Sequence, residues 1–269
     1  MLAPHDKIRL NETERQLMRA AGKFNGQLMD FIRGHIRPGI TTREIDRLVY
    51  KFTRDHGHKP ATLGYQGQKG PYPASCCTSI NDVICHGIPS DYLLREGDIV
   101  NIDCTSIVNG WHGDSSETFL IGQVSDEARQ LVQCTLECLW QAIRALTPGC
   151  KVSVIGDAIE TRANQQGYSV VEEYVGHGLG RKFHQPPTVP HVATDESRRT
   201  KIMPGTCFTI EPMINIGVKE GIQSRRDGWT VRTKDGKLSA QFEHTILMTE
   251  EGPEVLTLTE HGPQEGHVF

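Results

Sequence analysis

Apolar residues recur at helical spacing in two stretches near the start of the chain. The segment 11–14 has the form of a capping box, in which Asn11 caps a helix and the side chain of Glu14 reaches back to it. The apolar positions that follow are Leu17, Ala21, Phe24, Leu28 and Phe31. A second capping box at 41–44 precedes an apolar stripe that ends at Gly57. The pattern predicts two helices, the first of which ends at Arg37-Pro38-Gly39.

The same pattern returns later in the chain, where Ser125 begins a helix that ends at Pro148-Gly149. Matching positions lie 110 residues apart: Pro38 and Pro148, Ile45 and Ile155, and Gly57 and Gly167. We expect two related halves, 11–122 and 123–250, within one domain that spans residues 1–269. The alternative is coincidence among residues that commonly end helices. No Pro/Gly/Ser-rich linker separates the halves, so we expect one shared core, followed by a polar, frayed tail at 259–269.

Two β-rich segments, 98–108 and 111–121, flank Asn109-Gly110, which is a strong signal for a two-residue hairpin turn. With that turn, Asp103 faces Ser116 across the hairpin. Asp114 then lies one diagonal step away on the same face, because side chains alternate along a strand. The pattern therefore places two carboxylates together on one face of a hairpin.

Two further acids lie in segments that read as apolar strands, Glu211 in 206–213 and Glu243 in 240–248. A carboxylate that is buried and ionised costs several kcal/mol, so it must be neutral, paired or bound to a cation. For any one of the four acids alone, an edge-strand residue that faces water is the more common situation. Four of them together favour a common explanation.

Two histidines have no obvious structural role in the pattern. His177 lies between Gly176 and Gly178, and neither a helical nor a strand pattern explains it. His86 follows an apolar strand, where a lone histidine is more often a hydrogen-bonded core residue than a catalyst. Residues 64–74 are rich in Gly, Tyr and Pro and predict an exposed loop.

The composition excludes several classes of protein. The 269 residues carry 29 Lys and Arg against 33 Asp and Glu, a net charge of −4, which argues against a dedicated nucleic-acid binder. No apolar run is long enough to span a membrane, and the first residues do not form a signal peptide. The eight cysteines include no CxxC pair, so we expect reduced core thiols and a cytoplasmic location.

Taken together, the motifs resemble the type I methionine aminopeptidases of the bacterial kind over nearly the whole chain. The matching segments are SINDVICHGIP at 79–89, GDIVNID at 97–103, HGD at 112–114, GHG at 176–178, FH at 183–184, FTIEP at 208–212, DGWT at 227–230 and SAQFEHT at 239–245. The resemblance implies an α+β pita-bread fold, in which two pseudo-symmetric αβ halves surround a curved antiparallel sheet. It also implies removal of the N-terminal methionine from nascent proteins and peptides.

The resemblance further implies a dinuclear metal site. In the family, the residues that match Asp103, Asp114, His177, Glu211 and Glu243 bind two divalent metal ions (Co, Mn, Fe or Zn), and those matching Asp114 and Glu243 bridge the ions. We hypothesise that a hydroxide bridging the metals attacks the first peptide bond, with Glu211 as general base and proton shuttle. His184 is assigned to the developing oxyanion, and His86 to the scissile amide and the leaving amine.

By the same resemblance, an apolar slot for the methionine side chain is lined by Tyr65, Tyr72, Cys77, Phe183 and Trp229, although Phe183 and Trp229 could also be ordinary core aromatics. Small second residues should be preferred, because a crowded metal centre leaves little room beyond the scissile bond. The sequence departs from the family at Thr62, where many relatives have Cys, and at an apparent insertion at 68–71, from Gln68 to Pro71.

The family analogy also indicates a monomer that acts on nascent chains near the ribosome exit, with no membrane contact. Two other functions stay open from the sequence. One is a proline-specific aminopeptidase of the same fold, whose members generally carry an additional N-terminal domain. The other is a catalytically inactive pita-bread binding module, since a fold does not fix a function.

Overall fold

The computed structural model describes residues 8–67 and 69–269, so Gln68 of the apparent insertion lies outside the described residues. Within these residues, the helices are α1 (Glu12–Arg33), α2 (Thr42–Asp55), α3 (Asp126–Arg144) and α4 (Ser153–Gln165). The strands are β1 (Lys59–Pro60), β2 (Gln66–Gly67), β3 (Gly70–Pro71), β4 (Cys77–Ile80), β5 (Val83–Cys85), β6 (Ile99–Val108), β7 (Trp111–Leu120), β8 (Ser169–Val170), β9 (Gly176–Gly178), β10 (Gln185–Val189), β11 (Cys207–Ile210), β12 (Met213–Asn215), β13 (Gly221–Gln223), β14 (Val231–Thr233), β15 (Ser239–Gln241), β16 (Glu243–Met248) and β17 (Pro253–Val255).

The predicted helix starts are confirmed. Asn11 and Thr41 each form a complete capping box, with Glu14 and Glu44 respectively, and Ser125 caps α3 by accepting a hydrogen bond from the backbone of Ala128. The ends come earlier than predicted, at Arg33 rather than Arg37 for α1 and at Arg144 rather than Pro148 for α3. The physical reason is that a residue before a proline avoids the helical conformation, so the helix ends before it reaches that position.

A nine-stranded antiparallel sheet organises the molecule. Its main path runs β1-β6-β7-β16-β11-β9-β10, with β4 paired to β6 and β17 paired to β16. The hairpin β6–β7 turns at Asn109 and Gly110, whose φ angles of 51° and 82° are those of a type I′ turn. Asp103 pairs with Ser116, as the turn predicts. The predicted hairpin register is therefore confirmed.

The two segments predicted to be single strands are each divided into two, next to the predicted acid. The stretch 206–213 divides at Glu211-Pro212 into β11 and β12, and 240–248 divides at Phe242 into β15 and β16. On one side of the break β11 pairs with β16, and on the other β12 pairs with β15 in a separate three-stranded sheet. Proline has no N–H to donate to a strand ladder, which accounts for the break after Glu211. Glu211 and Glu243 thus lie at strand ends, not in strand interiors.

The helices lie on one face of the sheet, and the polar residues lie on the other. Val100, Ile102 and Cys104 of β6 are buried in one apolar cluster with residues of α1 and α2. Phe208, Ile210 and Ile246 are buried in a second cluster with residues of α3 and α4. Because side chains alternate along a strand, the acids of the same strands face the opposite, inner surface.

Two peripheral segments are more ordered than the sequence suggested. The tail 259–269 is anchored rather than frayed, since the Phe269 N–H donates to Oε1 of Gln133 (3.1 Å) and Nε2 of Gln133 donates to the His267 carbonyl (3.0 Å). The loop 64–74 contains the small hairpin β2–β3, and its residues Tyr72 and Ala74 are buried. The expected exposed loop is therefore only partly correct.

The eight cysteines are free thiols, and all except Cys150 are buried, as expected for core residues in a reduced protein.

Among residues 8–67 and 69–269, none of the helices combines the length and the apolar content that crossing a bilayer requires.

Candidate metal centre and substrate pocket

Five neighbouring strands of the large sheet each bring one predicted ligand to its inner face. Asp103 lies on β6, Asp114 on β7 and Glu243 at the start of β16, while Glu211 directly follows β11 and His177 is the middle residue of β9. Residues Asp103, Ser116 and Glu243 form one row across three strands. His177 therefore belongs to a strand, a correction to the sequence reading, which missed β9 because it is three residues long.

The five side chains converge at one point. Nε2 of His177 lies 3.7 Å from Oδ2 of Asp114 and 3.7 Å from Oε1 of Glu211. Ligand atoms of Asp114, His177 and Glu243 all lie within 4.8 Å of one another, which is close enough for one metal ion to bind them together. Asp103 is close enough to Asp114, Glu211 and Glu243 to raise the pKa of all three carboxyls.

Threonines that the sequence reading did not select hold these acids in place. Oγ1 of Thr105 donates to Oδ1 of Asp114 (2.7 Å), and Oγ1 of Thr209 donates to Oε1 of Glu211 (2.7 Å). Thr209 also accepts a hydrogen bond from the backbone N–H of His177 (3.0 Å). The hairpin rule could have found Thr105, since that rule pairs it directly with Asp114. Strand alternation could have found Thr209, two residues before Glu211.

His191 is a second supporting residue, and no local sequence signal identifies it. Its side chain is fully buried, and its Nε2 accepts a hydrogen bond from the backbone N–H of Glu211 (3.2 Å). Burial lowers the pKa of His191 to about 3, so the ring is neutral and can serve as an acceptor. The backbone of Glu211 is therefore fixed beyond the end of β11, where the strand ladder no longer holds it.

Burial makes the ionised form of the four acids in the cluster unfavourable. Burial raises the pKa of Asp103 to about 7 and that of Glu211 to about 8. The pKa values of Asp114 and Glu243 lie well above the usual range, first because of burial and then because of the neighbouring carboxylates. No Lys or Arg within the described ranges forms a salt bridge with any of the four acids. Four buried carboxylates without a protein cation fit bound metal ions.

The imidazole also fits a metal ion. Burial lowers the pKa of His177 to about 4, so the ring is neutral at pH 7, which is the form that binds metals. One imidazole and four carboxylates make a hard, oxygen-rich donor set. Such a set fits Mn, Fe or Co, and it differs from the thiolate ligands that are typical of structural zinc sites.

A cavity of about 340 Å³ opens directly onto these five side chains. All the residues that the family resemblance assigned to the substrate line it: Tyr65, Tyr72, Cys77, His86, Phe183, His184 and Trp229. Thr62, Tyr174 and Met213 line it too. The rings of His184 and His177 are 4.1 Å apart between centroids, and those of Tyr72 and Trp229 are 5.2 Å apart. The cavity thus joins an aromatic slot to the acidic cluster.

His86 and His184 face the cavity as neutral rings. Burial lowers the pKa of His86 to about 4 and that of His184 to about 3, where the neighbouring histidines contribute as well. The backbone of His86 has a left-handed φ of 57°, an unusual conformation for a residue other than glycine. His86 lines the cavity wall. From its local sequence alone, a hydrogen-bonded core residue was the more common expectation.

The shifted pKa values predict how stability depends on pH in the metal-free protein. Folded carboxyls with raised pKa values hold protons that the unfolded chain has released, so the free energy of unfolding falls as pH rises. Buried histidines such as His191 and His244 have folded pKa values of about 3 and about 4, below their ordinary 6.5. Below pH 6.5 the unfolded chain therefore binds more protons at these residues than the folded chain does, and this makes the free energy of unfolding rise with pH. Above pH 6.5 the histidine effect fades, and up to the pKa of Glu211 at about 8 the carboxyl effect dominates.

We therefore expect the melting temperature of the chelator-treated protein to fall between pH 6.5 and pH 8. With saturating Mn²⁺ the fall should vanish or reverse, because metal binding needs deprotonated ligands and strengthens with pH. Calorimetry of both forms in the same buffers checks this. A metal-free protein whose stability is constant or rises across this window would contradict the account of the buried acids.

A curved antiparallel sheet, helices on its outer face and an acid–imidazole cluster at the base of a pocket together define a metallopeptidase of pita-bread architecture. The chain belongs to metallopeptidase family M24, whose family model matches residues 16–250.

Relatives and solved structures support the same assignment. The chain is 49% identical to methionine aminopeptidase A of Synechocystis, over 93% of this chain and 97% of the relative. The crystal structure of methionine aminopeptidase from Rickettsia prowazekii matches with a TM-score of 0.89 at 44% identity, over 93% of this chain and 99% of that chain. A prolidase from Pyrococcus horikoshii shares the fold alone, with a TM-score of 0.75 at 20% identity, and this chain covers 65% of it. The expected α+β pita-bread fold is confirmed.

Proposed function

We propose that this chain is a metal-dependent aminopeptidase that removes the N-terminal methionine from nascent proteins and peptides, with a preference for small second residues. One observation carries the proposal: the acid–imidazole cluster opens into a cavity of about 340 Å³ that is walled by aromatic rings and a thiol. A slot of this kind suits a flexible thioether, and it lies beside the groups that would cleave the adjoining peptide bond.

The residues that would hold two divalent ions are Asp103, Asp114, His177, Glu211 and Glu243, and the family resemblance implies that Asp114 and Glu243 would contact both. Four carboxylates balance the charge of two such ions and remove the cost of burying the acids. When bound, a metal pair polarises the scissile carbonyl and lowers the pKa of water. The hard donor set favours Mn, Fe or Co, and Zn is a further candidate.

The side chains around the metal site then have distinct tasks. Glu211 accepts the proton of the attacking water and passes it to the leaving amine, and its geometry is held by Thr209 and His191. His184 donates a hydrogen bond to the oxygen on which negative charge develops, and His86 contacts the scissile amide and the leaving amine. Both rings are neutral at pH 7, so each carries one N–H that can donate.

The substrate's methionine side chain is proposed to lie among Tyr65, Tyr72, Cys77, Phe183 and Trp229. These residues supply apolar contact on several sides, and Tyr65 and Phe183 meet edge to face at 5.2 Å. His86 and His184 narrow the space beyond the scissile bond, and this is the reason to expect small second residues.

A peptide panel tests the proposal. The protein, purified and supplied with Mn²⁺, should release free methionine from Met-Ala-Ser and should leave Ala-Pro-Pro intact. A Met-Trp-Ser peptide is the matched control for the second position and should react much more slowly. Cleavage of Ala-Pro-Pro alone would overturn the proposal in favour of a proline-specific aminopeptidase. No cleavage of any peptide with metal fully bound would indicate an inactive module.

We further propose that the enzyme is a cytoplasmic monomer that meets nascent chains near the ribosome exit, and that residues 1–269 form one catalytic domain of two related halves, 11–122 and 123–250. The eight free thiols support a reducing compartment. The repeated helix pair, α1–α2 and α3–α4, supports the division into halves.

A further inference from the structure

A small hairpin beside the cavity lies within the Gly-, Tyr- and Pro-rich segment 64–74. We call it the rim hairpin; it comprises strands β2 (Gln66–Gly67) and β3 (Gly70–Pro71). Its base is closed by two backbone hydrogen bonds, from Tyr72 N–H to the Tyr65 carbonyl and from Gly64 N–H to the Tyr72 carbonyl, both 2.8 Å. Tyr65 and Tyr72, which flank the rim hairpin in the sequence, both line the cavity, so the hairpin adjoins the cavity wall.

The rim hairpin packs against the indole of Trp229 without a gap. A Cβ atom on Gly67 would lie 2.3 Å from Cζ2 and 2.5 Å from Cη2 of Trp229, far inside van der Waals contact. The backbone of Gly67 therefore lies against the six-membered ring of the indole. On the cavity side, Trp229 faces Tyr72 at 5.2 Å and His86 at 6.3 Å between ring centroids. The indole thus lies between the hairpin and the open slot.

Lys69 fastens the same hairpin to the loop that carries Trp229. Its Nζ donates to the carbonyl of Arg225 (2.8 Å), and its aliphatic stem covers Gly228, where a Cβ would meet Cδ of Lys69 at 2.6 Å. From within the loop, Oδ1 of Asp227 accepts hydrogen bonds from the backbone N–H groups of Trp229 (2.8 Å) and Thr230 (2.9 Å). The backbone of Trp229 is held by Asp227, and its ring is held by the rim hairpin.

We propose that Gly67 is a specificity-determining residue, which positions Trp229 and so sets how long a side chain the slot accepts at the N-terminus of the substrate. The proposal rests on the proposed methionine aminopeptidase function. Any side chain at position 67 would push the indole away from the hairpin, and the cavity provides the free space into which the ring can move. The slot would then be shorter, and long unbranched side chains would lose contact before short ones did.

The test compares three peptides that differ only in the first residue, methionine, norleucine or norvaline. Gly67→Ala should lower kcat/KM at least tenfold for methionine and norleucine, mainly through KM, because a group of about one methylene is worth roughly 10- to 200-fold in an apolar pocket. For norvaline, which is shorter by one chain atom, the loss should stay within about threefold. Equal losses for all three peptides, or a loss confined to kcat, would overturn the proposal.

Trp229→Phe supplies the matched background, because phenylalanine lacks the ring atoms that a Cβ at position 67 would meet. Gly67→Ala should therefore have less than a threefold effect on kcat/KM in the Trp229→Phe protein. If its effect is as large there as in the wild type, Gly67 does not act through the indole. Lys69→Ala, at an exposed position, should also lower the preference for methionine over norvaline. An unchanged preference would contradict the role of Lys69 in holding the rim hairpin to the loop of Trp229.

A spectroscopic readout separates this proposal from the proposed function. The emission of Trp229, taken as the difference between proteins with and without Trp229→Phe, should change on Gly67→Ala whether or not the protein is active. If the wild type is inactive but Gly67→Ala changes the emission of Trp229, the aminopeptidase function is rejected and the contact between Gly67 and the indole is retained. If the wild type is active and Gly67→Ala changes neither the emission of Trp229 nor the peptide preference, only the proposed role of Gly67 is rejected.

Discussion

Glu211→Gln is expected to lower kcat by about 10² to 10⁴ when it is assayed at Mn²⁺ concentrations high enough to saturate a metal site weakened by the loss of one carboxylate ligand. Glutamine keeps the size of the side chain and an oxygen that can accept from Thr209, whose Oγ1 lies 2.7 Å from Oε1 of Glu211. The amide cannot accept a proton from the attacking water, so the chemical step should slow and KM should change little. Steady-state kinetics on Met-Ala-Ser with metal analysis of the same sample measures both quantities.

Glu172→Gln is the matched control, since Glu172 is paired with Lys219 at the surface and does not line the cavity. Its rate should equal that of the wild type. If Glu211→Gln kept the full rate with full metal content, Glu211 would not be the base. If it lost both metal and rate together, its main role would be that of a ligand.

Asp114→Asn should weaken divalent-metal binding by about 100-fold or more. Loss of a group that merely orients a ligand costs about 10- to 100-fold, and Asp114 is proposed to contact the ions itself. The backbone of Asp114 should stay in place, because its carbonyl accepts from Oγ1 of Thr245 (2.7 Å) and its N–H donates to the same atom (3.1 Å). Activity at micromolar Mn²⁺ should fall with the affinity and recover in part at millimolar Mn²⁺.

The control for this variant is Asp91→Asn, which removes an exposed acid that is paired with Arg43. It should leave both metal affinity and rate unchanged. Metal titrations followed by calorimetry compare the two variants directly. Wild-type affinity in the Asp114→Asn protein would show that Asp114 is not a ligand, and the proposed sharing of Asp114 between the ions would then be wrong.

Features that depend on local rules could be predicted from the sequence. The capping boxes at Asn11 and Thr41 are formed within four consecutive residues, so they are correct irrespective of the rest of the fold. The turn at Asn109-Gly110 fixes the register of a hairpin, and through it the shared face of Asp103 and Asp114. Those two acids could be placed together without a structure.

Features that depend on distant parts of the chain could not be derived in this way. Glu211 and Glu243 lie at breaks where the chain passes from one sheet to another, and the partners of each broken strand are far away in sequence. His177 lies in a strand that is too short to show any periodicity. The anchoring of Glu211 by His191 joins residues twenty positions apart in the sequence. The family resemblance supplied the metal-ligand assignment of His177, Glu211 and Glu243, whereas neither a local pattern nor the resemblance selected His191.

The most direct test of the central claim is a metal titration of the metal-free protein in which the release of free methionine from Met-Ala-Ser is followed. The account predicts no release without metal, then activity that rises with added Mn²⁺ or Co²⁺ and levels off as two ions bind per chain. Methionine release by the fully metal-free protein, or a protein that binds no divalent ion, would contradict it.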